Sequence, residues 1–227
     1  MRNDPTAVMI FAAGFGTRMG DLTKDRPKPL IEVAGRPLID HALSVVDGFG
    51  ADKVVINLHY KAELLRAHLA GKDVAFSEER PDILETGGGL KAALPLLGGE
   101  VVFTMNSDAV WAGPNPLRHL LGFWDPDKMD ALLLCVPRDH AIGHDGTGDF
   151  LLDPQGRMSR GAGQVYSGVQ IIKTDRVQDT AKAAFSLNEV WDVALAKGRL
   201  FGASYPGTWC DVGHPEGICL AEAMLNA

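Results

Sequence analysis

The sequence has no apolar run approaching the roughly 20 residues that a membrane-spanning helix needs, which excludes an integral membrane helix. Its three cysteines, Cys135, Cys210 and Cys219, form no C-x-x-C pair and are odd in number. Neither a disulfide framework nor a structural zinc site is expected, and all three are read as buried, reduced thiols. Positive charge is scarce: 22 Lys and Arg against 29 Asp and Glu leave a net charge of −7. A general nucleic-acid binder would be basic, so that partner class is disfavoured. An acidic chain can still hold an anion, but only through a local cationic cluster or a bound metal. Linkers, low-complexity segments and hexapeptide repeats are also missing. Residues Met1 to Thr6 lead into Ala7–Ala13, an apolar run of strand length, shorter than a signal peptide requires and without a cleavage site after it. The expectation is a cytoplasmic protein with no membrane partner.

What is present is an alternation. Short apolar runs at Val8–Ala12, Lys53–Asn57, Val74–Ser77, Val101–Met105 and Ala131–Val136 are separated by helical patterns at Leu38–Phe49, Lys61–Leu69, Gly88–Leu94 and Asn115–Trp124. Strands that are apolar throughout belong to a sheet covered on both faces, and strand–helix alternation predicts a mostly parallel, doubly wound sheet. After Pro137 the pattern changes. Gly143–Gly163 is rich in Gly and Asp, with β candidates at Asp149–Leu152 and Gln164–Ile172, and helix returns at Leu187–Lys197 and Pro215–Asn226. The prediction is one three-layer α/β/α domain over residues 1–227, with a small β insertion over one edge of the sheet.

The most informative stretch is Ala12-Ala13-Gly14-Phe15-Gly16-Thr17-Arg18-Met19, followed by Pro27-Lys28-Pro29-Leu30. It begins where the first strand ends. Gly14 and Gly16 let the backbone turn and approach a ligand, and successive N–H groups in such a turn form an anion-binding nest. Arg18, Lys24, Arg26 and Lys28 place four of the 22 cations within one short segment, the local cluster that an acidic anion binder needs. Two better-known loops do not fit. The G-x-x-x-x-G-K-[ST] phosphate loop is absent, and Met19 stands where the G-x-G-x-x-G dinucleotide fingerprint has its third glycine. Farther on, the strand Val101–Met105 runs into Asn106-Ser107-Asp108. Ligand chemistry in open α/β sheets lies at such strand ends, which places Asp108 well and favours that reading over a plain helix-capping or turn aspartate.

Together these segments resemble the signature of the sugar nucleotidyltransferases, the glycosyltransferase-A-like pyrophosphorylases. Matches continue through Ile31–Ile39, Glu85-Thr86-Gly87-Gly88-Gly89, Gly148-Asp149-Phe150 and Trp209-x-Asp211-Val212-Gly213, nearly the full chain. The resemblance implies that Arg18 and Lys28 are catalytic and that Asp108 and Asp211 hold Mg2+. It puts Ala12, Ala13, Gly14, Gly16 and Thr17 on one side of the nucleotide and Glu85, Thr86 and Gly87 on the other, with Asn106 at the ribose or metal. Gly148, Asp149, Ser167 and Gly168 match sugar-binding segments. Leu84–Gly89 and Gly148–Phe150 favour the branch that takes UTP and N-acetylmuramate 1-phosphate in bacterial cell-wall recycling. The family has Gly where this chain has Ser107, which is tolerable only if that position does not need positive φ. Residues 1–136 would then form the nucleotide half, and 137–227 the sugar half with the second metal ligand.

The residues themselves fix neither base nor sugar. Glucose, mannose or phosphocholine acceptors, a non-catalytic nucleotide-sugar-binding regulator, and a dinucleotide oxidoreductase are the competing readings. The presence of all four charged residues favours an enzyme over a regulator, and the missing third glycine disfavours the oxidoreductase. Asp149 reads equally as a plain turn residue. His59, His140, His144 and His214 lack metal-type spacing and are read as structural or peripheral, and Trp111, Trp124 and Trp191 as core cover.

Overall fold

The computed structural model describes residues 4–227. In chain order its strands and helices are β1 Ala7–Phe11, β2 Glu32–Val33, β3 Arg36–Pro37, α1 Leu38–Phe49, β4 Lys53–Leu58, α2 Ala62–His68, β5 Ala75–Glu78, α3 Glu85–Leu97, β6 Val101–Asn106, β7 Ala109–Ala112, α4 Pro116–Leu121, β8 Ala131–Val136, β9 Ala141–Ile142, β10 Phe150–Leu152, β11 Met158–Arg160, β12 Val165–Lys173, α5 Asp175–Asp179, α6 Leu187–Ala196, β13 Leu200–Ser204, β14 Thr208–Asp211 and α7 Glu216–Leu225. Seven strands form the main sheet in the order β13-β8-β12-β6-β1-β4-β5. All run parallel except β12, which is antiparallel to both β6 and β8.

The strands are buried on both faces, as their continuous apolar runs require. Along β8, Leu132, Leu134 and Val136 join one core with Ile39, Leu43 and Val46 of α1 and Leu117 and Leu120 of α4. The alternate residues Ala131, Leu133 and Cys135 join the opposite core with Leu90, Ala93 and Leu94 of α3 and Val190 and Trp191 of α6. Three layers follow directly from this period-2 division. A third, smaller core of Met19, Val33, Leu38, Val110, Cys210 and Val212 seats α7 under a separate sheet of β7, β14 and β9.

The predicted strands and helices of the first half appear within a few residues of their expected bounds. Helix α4 starts where its chemistry says it should: Asn115 Oδ1 accepts the N–H groups of Leu117 and Arg118 at 3.1 and 3.0 Å, and Pro116 occupies the first turn. Two expectations need correction. The Gln164–Ile172 segment is no insertion; as β12 it fills the middle of the main sheet between β6 and β8. The β10–β11 hairpin is the part that lies at the sheet edge, beside β13, where the Gly202 N–H reaches Gly156 O at 2.8 Å. Cys219 is exposed rather than buried. Strand β13 was not predicted, because Leu200–Ser204 carries too little periodicity to stand out beside the helix before it. No helix among the described residues is long and apolar enough to cross a membrane.

Candidate active site

From β1 the chain winds outward through β4 to β5, then α3 carries it back across to β6 on the other side of β1. The order therefore reverses between β1 and its two neighbours, and a crevice opens at the carboxyl ends of β1 and β6. A cleft of about 300 Å³ lies there, lined by Ala12, Ala13, Gly14, Gly16, Thr17, Arg18, Lys28, Asn57, Glu79, Glu85, Thr86, Asn106, Ser107 and Asp108, among others.

The glycine loop earns its shape from two different glycine properties. Gly16 has φ +65°, and a Cβ built on it would lie 2.8 Å from Lys28 Cβ, so only glycine lets the lysine stem pack there. Gly14 has an ordinary φ; a Cβ there meets nothing within 4 Å and would project into open space. After Gly16 the chain winds into 3₁₀ turns over Thr17–Thr23, tied by Met19 N–H to Gly16 O at 2.9 Å, and leaves Arg18 exposed at the rim. Lys28 stands in a second short turn between Pro27 and Pro29. It is 8% exposed, and its Nζ donates to Asp108 Oδ2 at 2.8 Å. Lys24 and Arg26 do not line the cleft; Lys24 pairs at the surface with Asp21. Among the described residues, the cations that line the cleft are Arg18 and Lys28.

The two aspartates, distant in sequence, meet through a strand pairing. Asp108 sits in the turn between β6 and β7. Strand β7 pairs antiparallel with β14, setting Ala109 opposite Asp211, and Val212 N–H donates to Asp108 O at 2.9 Å. A Cβ built on Gly213 would lie 2.8 Å from Asp211 Oδ2 and 3.0 Å from Arg18 Nη1, so carboxylate and guanidinium flank the same glycine. Burial, and then the neighbouring Asp108, push the Asp211 carboxyl above the ordinary range, against the pull of Lys28, Arg18 and His144. Two carboxylates held together at an energetic cost are a site for a cation. Among the described residues no third Asp, Glu, His or Cys completes a metal cluster. The pair suits Mg2+, which takes one or two carboxylates and fills its shell with phosphate oxygens and water. Ser107 is not a positive-φ residue, so replacing glycine costs nothing there; its Oγ donates to Phe11 O at 2.7 Å and ties β6 to β1.

The wall opposite the glycine loop is built on a buried network that sequence reading missed. Asn57, at the end of β4, accepts the Ala12 N–H at 2.6 Å and donates to Glu79 Oε1 at 2.7 Å. Glu79 Oε2 accepts Leu84 N–H at 2.7 Å. These bonds fasten the start of the glycine loop to the segment that enters α3. An Asn interrupting an otherwise apolar strand was the one available signal. Glu85 has φ +58°, a strained conformation for a side-chain-bearing residue that recurs at functional sites. Glu85 and Thr86 line the cleft, but Gly87 does not. The glycines of α3 make room for protein rather than ligand. A Cβ on Gly87 would strike the Phe185 ring at 2.3 Å, one on Gly88 the Ala183 carbonyl, and one on Gly89 the Glu79 carboxylate.

A second cavity of about 280 Å³ continues from the first across Phe11, Thr86 and Asn106, lined farther out by Asp149, Phe150, Arg160, Tyr166, Asn188 and Trp191. Of the four residues expected at the sugar, Asp149 alone lines it; its Oδ2 accepts the Tyr166 N–H at 2.8 Å. Gly148 forms a tight turn against the Gly163 carbonyl. Ser167 is buried and donates to Leu134 O at 2.8 Å. Gly168, at φ +85°, lies in an irregularity of β12, where a Cβ would meet the Asn106 side chain at 2.7 Å. These three shape the wall that holds Asp149 and Asn106.

Residues 8–202 match the MobA-like NTP transferase domain. The chain is 40% identical to an N-acetylmuramate alpha-1-phosphate uridylyltransferase of Caulobacter vibrioides, over 99% of each chain. It is 32% identical to a protein of the same name from Neisseria meningitidis serogroup B, over 96% of this chain and 98% of that one. Among solved structures, HddC from Yersinia pseudotuberculosis complexed with GMP-PN superposes with a TM-score of 0.77 at 22% identity, covering 96% of this chain and 98% of that chain, a likeness of fold. With its mostly parallel sheet, its glycine loop at the switch point and a family match over most of its length, the chain belongs to the MobA-like NTP transferase family and is a nucleotidyltransferase.

Proposed function

We propose that the chain transfers the nucleotidyl group of UTP to N-acetylmuramate 1-phosphate, releasing pyrophosphate and forming a nucleoside-diphosphate sugar. One observation carries this reading: Arg18, Lys28 and Asp108 line one cleft at the sheet's switch point, and Asp211, from a third distant segment, stands beside Asp108 and Arg18. The relatives at 40% and 32% identity support the choice of UTP and of this sugar. On this reading residues 1–136 hold most of the nucleotide, while 137–227 supply the sugar wall and Asp211. The setting is the cytoplasm and bacterial cell-wall recycling.

An oxygen of the sugar phosphate bonds to the α-phosphorus in line with the bond to the bridging β-oxygen, which breaks as pyrophosphate departs with the electron pair. The attacking oxygen is already anionic at neutral pH, so no general base is required. What remains is positioning and neutralising mutually repelling anions. Lys28 is buried, and its Nζ already points at the reaction centre, so it bridges the α-phosphate and sugar phosphate with little loss of side-chain freedom. Arg18, free at the rim, forks onto the β- and γ-phosphate oxygens and stabilises the departing pyrophosphate. Asp108 and Asp211 would hold Mg2+, which supplies charge neutralisation at the α-phosphate when bound. Glu85 and Thr86 face the glycine loop across the cleft and hold the base between them. The test is pyrophosphate release with UTP, CTP, GTP and ATP against the 1-phosphates of N-acetylmuramate, glucose and mannose, and phosphocholine. UTP with N-acetylmuramate 1-phosphate should be fastest. Release with no pair refutes the reading, and faster release with another acceptor replaces the sugar.

A further inference from the structure

The cavity beyond Asn106 contains one cation, Arg160, which no part of the catalytic scheme employs. It stands at the end of β11 with its guanidinium 4.9 Å from the centre of the Phe150 ring. Its Nη2 donates to Asn188 Oδ1 and to Asp192 Oδ1, both at 2.8 Å, which fixes the guanidinium against α6. Nε and Nη1 have no hydrogen-bond partner among the described residues. The counter-charge is screened, because both side chains of the pair are open to water, Arg160 at 43% and Asp192 at 64% exposure. The other acid of the cavity, Asp149, has one oxygen committed to the Tyr166 N–H. The remaining wall mixes aromatic residues, Phe11, Phe150, Tyr166 and Trp191, with small polar ones. Trp191 presents its ring but not its donor, since Nε1 is bonded to Gln170 Oε1 at 2.9 Å. A guanidinium held in place at the edge of such a cavity, with Nε and Nη1 unbonded, makes a site for an anion through charge-assisted hydrogen bonds. A neutral hexose would add no counter-charge to that of Asp192.

We infer that Arg160 reads a carboxylate on the sugar, so that the cavity selects acidic sugar 1-phosphates over their neutral counterparts. This rests on the sugar-1-phosphate reading of the site above and names the feature of the sugar that is recognised. N-acetylmuramate is N-acetylglucosamine bearing a lactyl ether, and its carboxylate is the only charge by which the two sugars differ. Asp149, on the same cavity wall, has its second oxygen available for a sugar hydroxyl or amide, leaving Arg160 for the acid.

The test separates this inference from the catalytic reading by measuring equilibrium binding as well as turnover. Calorimetry compares UDP-N-acetylmuramate with UDP-N-acetylglucosamine on wild-type protein, Arg160→Gln and Arg160→Lys. The same variants are then assayed for kcat/KM with UTP and the two sugar 1-phosphates. A charge-assisted hydrogen bond predicts that the acidic-over-neutral preference falls about tenfold or more in Arg160→Gln, in binding and in kcat/KM alike. Arg160→Lys, which keeps the charge, should retain more of the preference than Arg160→Gln. Thermal unfolding identifies any variant whose hairpin has merely come loose from α6. A preference unchanged in folded Arg160→Gln overturns the inference, as does wild-type protein that binds the two ligands equally. A binding preference that depends on Arg160, with no turnover of either sugar phosphate, upholds the inference and sinks the catalytic reading.

Discussion

Lys28→Met isolates the lysine's charge, because the methionine stem keeps the packing against Gly16 that alanine would lose. Two effects follow, and they differ in size. In catalysis, removing a preorganised charge from the transition state costs on the order of 3 kcal/mol, or roughly a hundredfold in kcat. If Lys28 acts only as the phosphates are driven together, kcat and kcat/KM fall by the same factor. In stability, the ammonium lies 2.8 Å from an Asp108 side chain that is 28% exposed, so the pair is neither fully buried nor at the surface. Breaking a buried pair costs 3–5 kcal/mol and an exposed one about 0–1, which puts this loss at about 1–2 kcal/mol. A chain of this length should then lose roughly 2–8 °C in Tm. Asp108→Asn in the Lys28→Met background removes the stranded carboxylate and should recover most of that loss without recovering turnover. Pyrophosphate release and thermal unfolding read the two effects separately. Folded Lys28→Met protein with kcat within threefold of wild type refutes the assigned role. A raised KM with unchanged kcat shows that Lys28 contributes ground-state binding only.

Gly16→Ala combines an αL alanine, costing about 1–2 kcal/mol, with a collision against Lys28 Cβ; a displacement of the lysine by about 1 Å should lower kcat on the order of a hundredfold, and near-normal turnover would show that the turn does not position Lys28. Asp211→Asn should abolish turnover yet raise Tm at neutral pH. Asp211 is held above its ordinary range, so the folded chain binds more protons than the unfolded one; the stabilisation present in acid is lost as pH rises through the folded pKa. Unfolding midpoints measured across that range should show a flatter pH dependence in the variant, and a lower Tm for Asp211→Asn at neutral pH contradicts the assignment. Asn57→Ala strips partners from the Ala12 N–H and Glu79 Oε1 and should cost about 2–4 kcal/mol while raising the KM for nucleotide; denaturant unfolding and initial rates check the two parts.

The glycines show why legibility was uneven. Gly16 and Gly87, the first of the Gly87–Gly89 run, look alike in sequence, and the family resemblance puts both beside the nucleotide. Folded, Gly16 makes room for Lys28 and shapes the site, while Gly87–Gly89 make room for Phe185, Ala183 and Glu79. Which atom will occupy the space beside a missing Cβ is a property of distant chain. Ser167 and Gly168 stand behind the cavity wall for the same reason: a motif match gives a neighbourhood, and the pleat and bulge of β12 decide which side chains face the cavity. Asn57, Glu79 and Arg160 went unread because their significance lies in partners far away in sequence, Ala12, Leu84 and Asp192.

By itself the sequence determined the layered sheet, because apolar strands alternating with amphipathic helices can be buried in few ways, and it marked the loop after β1 as the place for phosphate. It also supplied the four charges. Only the tertiary structure decided that they lie together, three lining one cleft and Asp211 beside them. Asp108 and Asp211 become neighbours through the pairing of β7 with β14, and β12 takes its place between β6 and β8; such long-range registers are selected by the packing of the whole chain and leave no local trace in the residues that form them.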